Sequence, residues 1–166
     1  KGERMNNICI YSDMIINSDT LRIYNIHLAS NWFKDSDYSF LKKPKKEKLK
    51  EGISEIIKKM NNSYKKRANQ TKVIQKHMNN SPYPIILCGD FNDTPLSFAY
   101  NTISAKLKDA FQESAKGIGQ SFIKFPALRI DYILYDKQFK SYNYTQHKQE
   151  LSDHYAVSCE LQKISP

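Results

Sequence analysis

The sequence predicts an α+β domain, with a mostly antiparallel sheet and helices on one face. Three observations carry this. Two apolar, β-rich runs open the chain around a turn, apolar residues recur at three- and four-residue steps through the middle, and strand-like runs close it. The 166 residues are expected to form one domain, 1–166, with a basic helical segment at 34–80 and no internal repeat.

The opening runs are Asn7 to Ile16 and Leu21 to Leu28, joined by the turn composition Asn17-Ser18-Asp19. In the second run Leu21, Ile23, Asn25 and His27 share one face, and Arg22, Tyr24, Ile26 and Leu28 the other. His27 therefore stands at a strand end, with Trp32 and Phe33 shortly beyond it. Residues 31–46 read as irregular. A helix is expected over 47–60, on Ile53, Ile56, Ile57, Met60 and Tyr64, and a second over 64–78, on Ala68, Thr71, Ile74 and Met78, with Asn61-Asn62-Ser63 between them. Pro84 to Cys88 is a buried strand. Thr94-Pro95 resembles an N-cap with proline at the first helical position, opening a helix to about Leu107. A polar loop at 112–121 precedes strands at about 121–125, 129–135, 139–145 and 155–161.

Charge is unevenly placed. Residues 34–76 hold 14 Lys/Arg against 5 Asp/Glu, and the rest of the chain holds 12 of each, so the whole excess of +9 sits in one segment. Such a stripe either attracts phosphate-rich or anionic membrane partners or is a solvated lysine-rich helix. Neutralising Lys42, Lys43, Lys45 and Lys46 tests the first reading. Cys9, Cys88 and Cys159 lack metal spacing and read as small core residues. No apolar run has bilayer length.

The chemistry concentrates at strand ends. Gly89-Asp90-Phe91-Asn92 follows the buried strand and puts a carboxylate and a carboxamide on one side of its end. His27, Asp131 and Asp153-His154 also end or follow strand-like runs. Carboxylates and an amide oxygen suit a hard cation, and imidazoles beside acids suit proton transfer or phosphate contact. Asp131 has a bland alternative, an ion pair with Arg129. Asp93 reads as a turn or cap residue. His77 and His147 read as bystanders, and Arg67 and Gln70 as ties between helix and loops. No serine or cysteine nucleophile is apparent, so water attack on a phosphoester fits best.

Tyr24-Asn25-Ile26-His27-Leu28, Gly89-Asp90-Phe91-Asn92 with Asp93-Thr94-Pro95-Leu96-Ser97, Arg129-Ile130-Asp131-Tyr132-Ile133-Leu134 and Leu151-Ser152-Asp153-His154-Tyr155-Ala156-Val157 occur in that order. The set resembles the endonuclease/exonuclease/phosphatase superfamily of DNase I-like folds. The resemblance implies half or more of a four-layer α/β sandwich and a Mg²⁺- or Mn²⁺-dependent phosphoesterase, nuclease-like toward phosphodiesters. It implies catalytic roles for His27, Asp90, Asn92, Asp131 and His154, metal ligation by Asp153, Asp90 and Asn92, and substrate contacts from Asn25, His27 and Asn92. The family's earlier Asn and metal-binding Glu have no counterpart; Glu3 and Glu113 lack the context. The natural protein is therefore expected to be longer at its N-terminus. This chain alone is expected to be metal-poor or inactive, with an exposed sheet face that invites dimerisation. The alternative is a non-catalytic module that binds nucleic acid or an anionic membrane.

Overall fold

The computed structural model describes residues 8–31, 33–43, 49–125 and 127–164. Glu3, Trp32, Lys45 and Lys46 lie outside them. The first two strands, β1 (Ile8–Ile16) and β2 (Asp19–His27), form the expected hairpin, with Asn17 and Ser18 at positive φ in the turn. The strand β3 (Ile85–Asp90) lies parallel to β2 and antiparallel to β5 (Asp131–Asp136), and β4 (Leu107–Asp109) closes the far edge. The order β1-β2-β3-β5-β4 is mostly antiparallel, as the sequence predicts.

The parallel step from β2 to β3 requires a crossover, and two helices supply it. The first, α1 (Asp35–Lys42), falls inside the stretch expected to be irregular; the Asp37 carboxylate starts it by accepting from the Lys34 backbone N–H at 2.7 Å. The second, α2 (Leu49–Asn79), is one helix of 31 residues, not two. The Asn61-Asn62-Ser63 interruption fails because these residues cost only tenths of a kcal/mol each in a helix. Ser63 is also recruited by the tertiary structure: it is buried and donates to the Ser30 carbonyl at 2.8 Å. The buried stripe Ile56, Ser63, Arg67, Thr71, Ile74 and Met78 runs through the supposed break, while Ile53, Ile57 and Tyr64 remain exposed.

The sheet carries a core on each face. Tyr24, Ile26, Leu28, Leu87, Phe91 and Leu134 pack against Ile74 and Met78 of α2 and Ala99, Tyr100 and Ile103 of α3 (Phe98–Ser104). Ser97 caps α3 by accepting from the Tyr100 N–H at 3.1 Å, so the helix starts later than Thr94-Pro95 suggests. On the opposite face Leu21, Ile133 and Tyr135 meet Ala110 of α4 (Ala110–Ser114) and Phe139 of β6 (Phe139–His147). The strands β6 and β7 (Ala156–Lys163) form a separate two-stranded ribbon there, with Cys88 and Cys159 partly buried between it and the sheet. The closing strands thus leave the main sheet for a second one, and the 121–125 strand shrinks to a single bridge, Phe122 to His154. Cys9, expected in the core, is exposed on the edge strand β1, where Ile10, Met14, Ile15 and Ile16 are also exposed. No helix among the described residues is long and apolar enough to cross a membrane.

Candidate functional site

Strand register builds the site. His27 at the end of β2 is level with Asp90 at the end of β3, and Asp90 is level with Asp131 at the start of β5. One imidazole and two carboxylates therefore stand abreast at one sheet end, brought together from positions far apart in the chain.

The turn after Asp90 is pinned on both sides. The Phe91 N–H donates to the Ile130 carbonyl at 2.8 Å, and the Asp90 carbonyl accepts from the Leu28 N–H at 2.9 Å. Phe91, fully buried, packs its ring 4.6 Å from that of Tyr132. Asn92 sits at φ 51°, a left-handed conformation that asparagine tolerates. Its backbone N–H donates to Asp90 Oδ1 at 2.7 Å, and its side-chain amide donates to Asp90 Oδ2 at 3.0 Å and to the Leu28 carbonyl at 3.1 Å. With its amide nitrogen committed, the Asn92 side-chain oxygen is the atom left to face a ligand.

His154 arrives from the turn before β7. Its Nδ1 lies 2.9 Å from Asp131 Oδ2, which leaves Nε2 for a ligand. Asp131 does not pair with Arg129; that guanidinium donates to both oxygens of Asp109, at 3.0 and 2.8 Å, deep in the fold. His27 Nε2 lies 3.6 Å from Asp90 Oδ2. Asp90, Asp131 and His154 each offer a ligand atom within 4.8 Å of the others. Burial first, and then the nearby Asp131 charge, push the Asp90 carboxyl up to about 6. The hydrogen bond to Asp131 raises the His154 imidazole, against the opposing effect of its burial. Perturbed acids and imidazoles gathered in a cleft are a common mark of a functional site.

All of His27, Asp90, Asn92, Asp131, Asp153 and His154 line one cavity of about 830 Å³. Asp153 stands at its rim, half-exposed, with its carboxylate 3.7 Å from Lys124 Nζ and apart from the three-ligand cluster. Asn25 is exposed and does not line the cavity. Phe33 does. His77 and His147 do not; they meet Tyr24 and Ser158 elsewhere. Arg67 and Gln70 act as ties. Arg67, 1% exposed, donates to Asp93 at 2.9 Å, to the Ala29 carbonyl at 2.6 Å and to Asn31, and Gln70 accepts from the Ala29 N–H.

Sequence reasoning misses Ser121. Fully buried, it accepts through Oγ from the Ile130 and Asp131 N–H groups, at 3.0 Å each, and its carbonyl accepts from the Tyr155 N–H at 2.8 Å. It thereby joins the segments that carry Asp131 and His154. Its position before Phe122 carries no periodic or catalytic signature. Ser121→Ala leaves two buried donors without an acceptor and is expected to cost on the order of 2 kcal/mol. It should also shift the His154 titration seen by NMR toward the ordinary histidine value, and Ser121→Thr should keep both properties.

A model of the endonuclease/exonuclease/phosphatase family matches residues 62–154. No curated protein sequence matches the chain. Among solved structures, an endonuclease/exonuclease/phosphatase from Bacteroides vulgatus aligns with TM-score 0.65 and 19% identity, covering 95% of this chain and 56% of that one. A mannosyl-6-phosphatase of Bacteroides thetaiotaomicron aligns at 0.61 and 18% identity, covering 94% and 57%. The human Nocturnin catalytic domain with bound sulfate aligns at 0.60 and 15% identity, covering 96% and 54%. These likenesses concern the fold, and the chain spans about half the length of the structures it matches.

Proposed function

The chain belongs to the endonuclease/exonuclease/phosphatase family, a family of phosphoester hydrolases, and we propose that the sheet-end cluster is the catalytic centre of a divalent-metal-dependent phosphodiesterase. The observation that carries the reading is the alignment of His27, Asp90 and Asp131 across three adjacent strands, with His154 hydrogen-bonded to Asp131.

The donor set fits a hard cation, because Asp90, Asp131 and the Asn92 amide offer oxygens. Mg²⁺ or Mn²⁺ suits such a set, with Asp153 as a further acid at the rim. When bound, the ion supplies Lewis-acid polarisation of a phosphoryl oxygen. Asp90 orients the attacking water and takes its proton. Asn92 holds the Asp90 carboxylate in place through two hydrogen bonds and offers its oxygen to the site. His27 and His154 Nε2 donate to phosphate oxygens. Asp131 orients the His154 ring and steadies its charged form, in which Nε2 carries the hydrogen it donates. Asn25, off the cavity wall, acts only through the β2 strand it shares with His27.

Nuclease-like action draws its support from the positive charge of residues 34–76. The same charge supports the competing reading, a module that grips nucleic acid or an anionic membrane without turnover. Hydrolysis of bis-p-nitrophenyl phosphate by the full-length protein decides between them. Chelation should abolish it, Mg²⁺ or Mn²⁺ should restore it, and His154→Ala should lower kcat by about a hundredfold or more. Salt-sensitive binding with no metal-dependent turnover would favour the module.

A further inference from the structure

We propose that the phosphodiester taken by this site carries an alkyl chain, seated on an apolar wall continuous with the acid and imidazole cluster. The inference rests on the phosphodiesterase reading and names its substrate class.

The cavity has two chemically different sides. Besides the acids, the lining includes Phe33, Tyr38 and Leu41 from α1 and the segment before it, Met60 from α2, and Phe125 and Leu128 from the loop before β5. An aromatic ladder joins the two sides. Ring centroids are 5.6 Å apart from Phe33 to Tyr38, 5.8 Å from Tyr38 to Phe122, and 5.1 Å from Phe122 to the His154 imidazole. A phosphate held at His154 would therefore have its substituent directed along apolar surface. Leu41 is 38% exposed, so that surface is open to a ligand.

Charge argues against a polyanion along this wall. Among the described residues, Lys124 is the one Lys or Arg in the lining, and it is already 3.7 Å from Asp153 and 3.5 Å from Asp35. Asp90, Asp131 and Asp153 line the same cavity, together with Asp93, which is paired with Arg67. A nucleic-acid backbone requires cations along its path. The exposed lysines of α2, among them Lys58, Lys65, Lys66 and Lys72, are not part of the lining. The branched and thioether side chains of Leu41, Leu128 and Met60 add adaptable apolar surface that a flexible chain can fill.

A series of p-nitrophenyl esters tests this in the full-length protein with Mg²⁺: methyl, butyl and hexyl phosphates, and thymidine 5′-(p-nitrophenyl phosphate). Burial of each methylene should raise kcat/KM about threefold, so hexyl, five methylenes longer, should exceed methyl by roughly two-hundredfold, with the nucleoside ester far below hexyl. Leu41→Gln combined with Leu128→Gln should collapse the hexyl-to-methyl ratio to within about threefold. Calorimetry of hexylphosphonate against methylphosphonate gives the same comparison without turnover, and hexyl should bind tighter. Hydrolysis with a flat series, or with the nucleoside ester ahead of hexyl, overturns the proposal and leaves the hydrolase intact. Tighter hexylphosphonate binding with no ester hydrolysed supports the alkyl wall and overturns the hydrolase reading.

Discussion

Asp90→Asn is expected to lower phosphodiester kcat/KM at least about a thousandfold while leaving the protein no less stable at neutral pH. The two effects have one cause. The Asp90 side chain is 18% exposed, and burial together with Asp131 raises its carboxyl from 3.8 to about 6. A raised carboxyl pKa means that the folded state disfavours the ionised form. The penalty is absent below the unfolded value near 3.8, grows as pH rises and is complete above about 6, where it reaches on the order of 3 kcal/mol. Asparagine removes that charge and keeps the shape. Its amide oxygen can still accept from the Asn92 N–H, but its NH₂ group faces the Asn92 side-chain donor, which offsets part of the gain. Denaturant unfolding in chelator at pH 4 and pH 7.5 measures the difference. The variant should gain on the wild type as pH rises. A variant less stable by a constant amount at both pH values would show that Asp90 is a structural hydrogen-bonding residue rather than a strained functional acid.

Gly89→Ala should be the most damaging single change to the fold, costing on the order of 3 kcal/mol or more, and should abolish activity with it. Gly89 has φ 156°, and a Cβ there would sit 2.0 Å from the Ile26 carbonyl oxygen of the neighbouring strand. The obstacle is backbone that cannot swing away. Ile26 lies between β1 and β3, level with Cys9 on one side and Gly89 on the other. Relief would require β2 and β3 to part at the place where they hold His27 level with Asp90. The two variants therefore separate cleanly: Asp90→Asn loses chemistry with the fold kept, and Gly89→Ala loses both. A Gly89→Ala protein within about 1 kcal/mol of wild type would contradict the close approach of these strands.

The parts of the site that were legible in the sequence are those whose chemistry and position coincide. Asp90, Asn92, Asp131, His154 and His27 all border strand-like runs, and strand ends are where a sheet delivers side chains to a cleft. Their mutual register was not legible, because pairing across β2, β3 and β5 is set by packing on two sheet faces. Asp153 shows the same boundary. It adjoins His154 in sequence, yet the turn directs its carboxylate to Lys124, while Asp131 from another strand meets the imidazole. Ser121 was invisible because it works by accepting backbone N–H groups, a role with no compositional mark. The continuity of α2 across Asn61-Asn62-Ser63 and the late start of α3 at Ser97 were hidden for a related reason. Local preferences of a few tenths of a kcal/mol were overruled by a buried stripe in one case and by a second capping residue in the other. The ribbon of β6 and β7 reads locally as two ordinary strands, and only the apolar partners on the far sheet face show that it forms a second layer.

The most direct test of the site is a titration of Mn²⁺ into isotope-labelled protein, followed by paramagnetic broadening of assigned NMR signals. If the sheet-end cluster holds a divalent ion, signals of His27, Asp90, Asn92, Asp131 and His154 should broaden first, while those of His77 and His147 stay sharp. Early broadening centred elsewhere, at Asp109 and Glu113 for instance, or spread evenly over the acidic surface, would contradict a metal-assisted phosphoesterase centre at this end of the sheet.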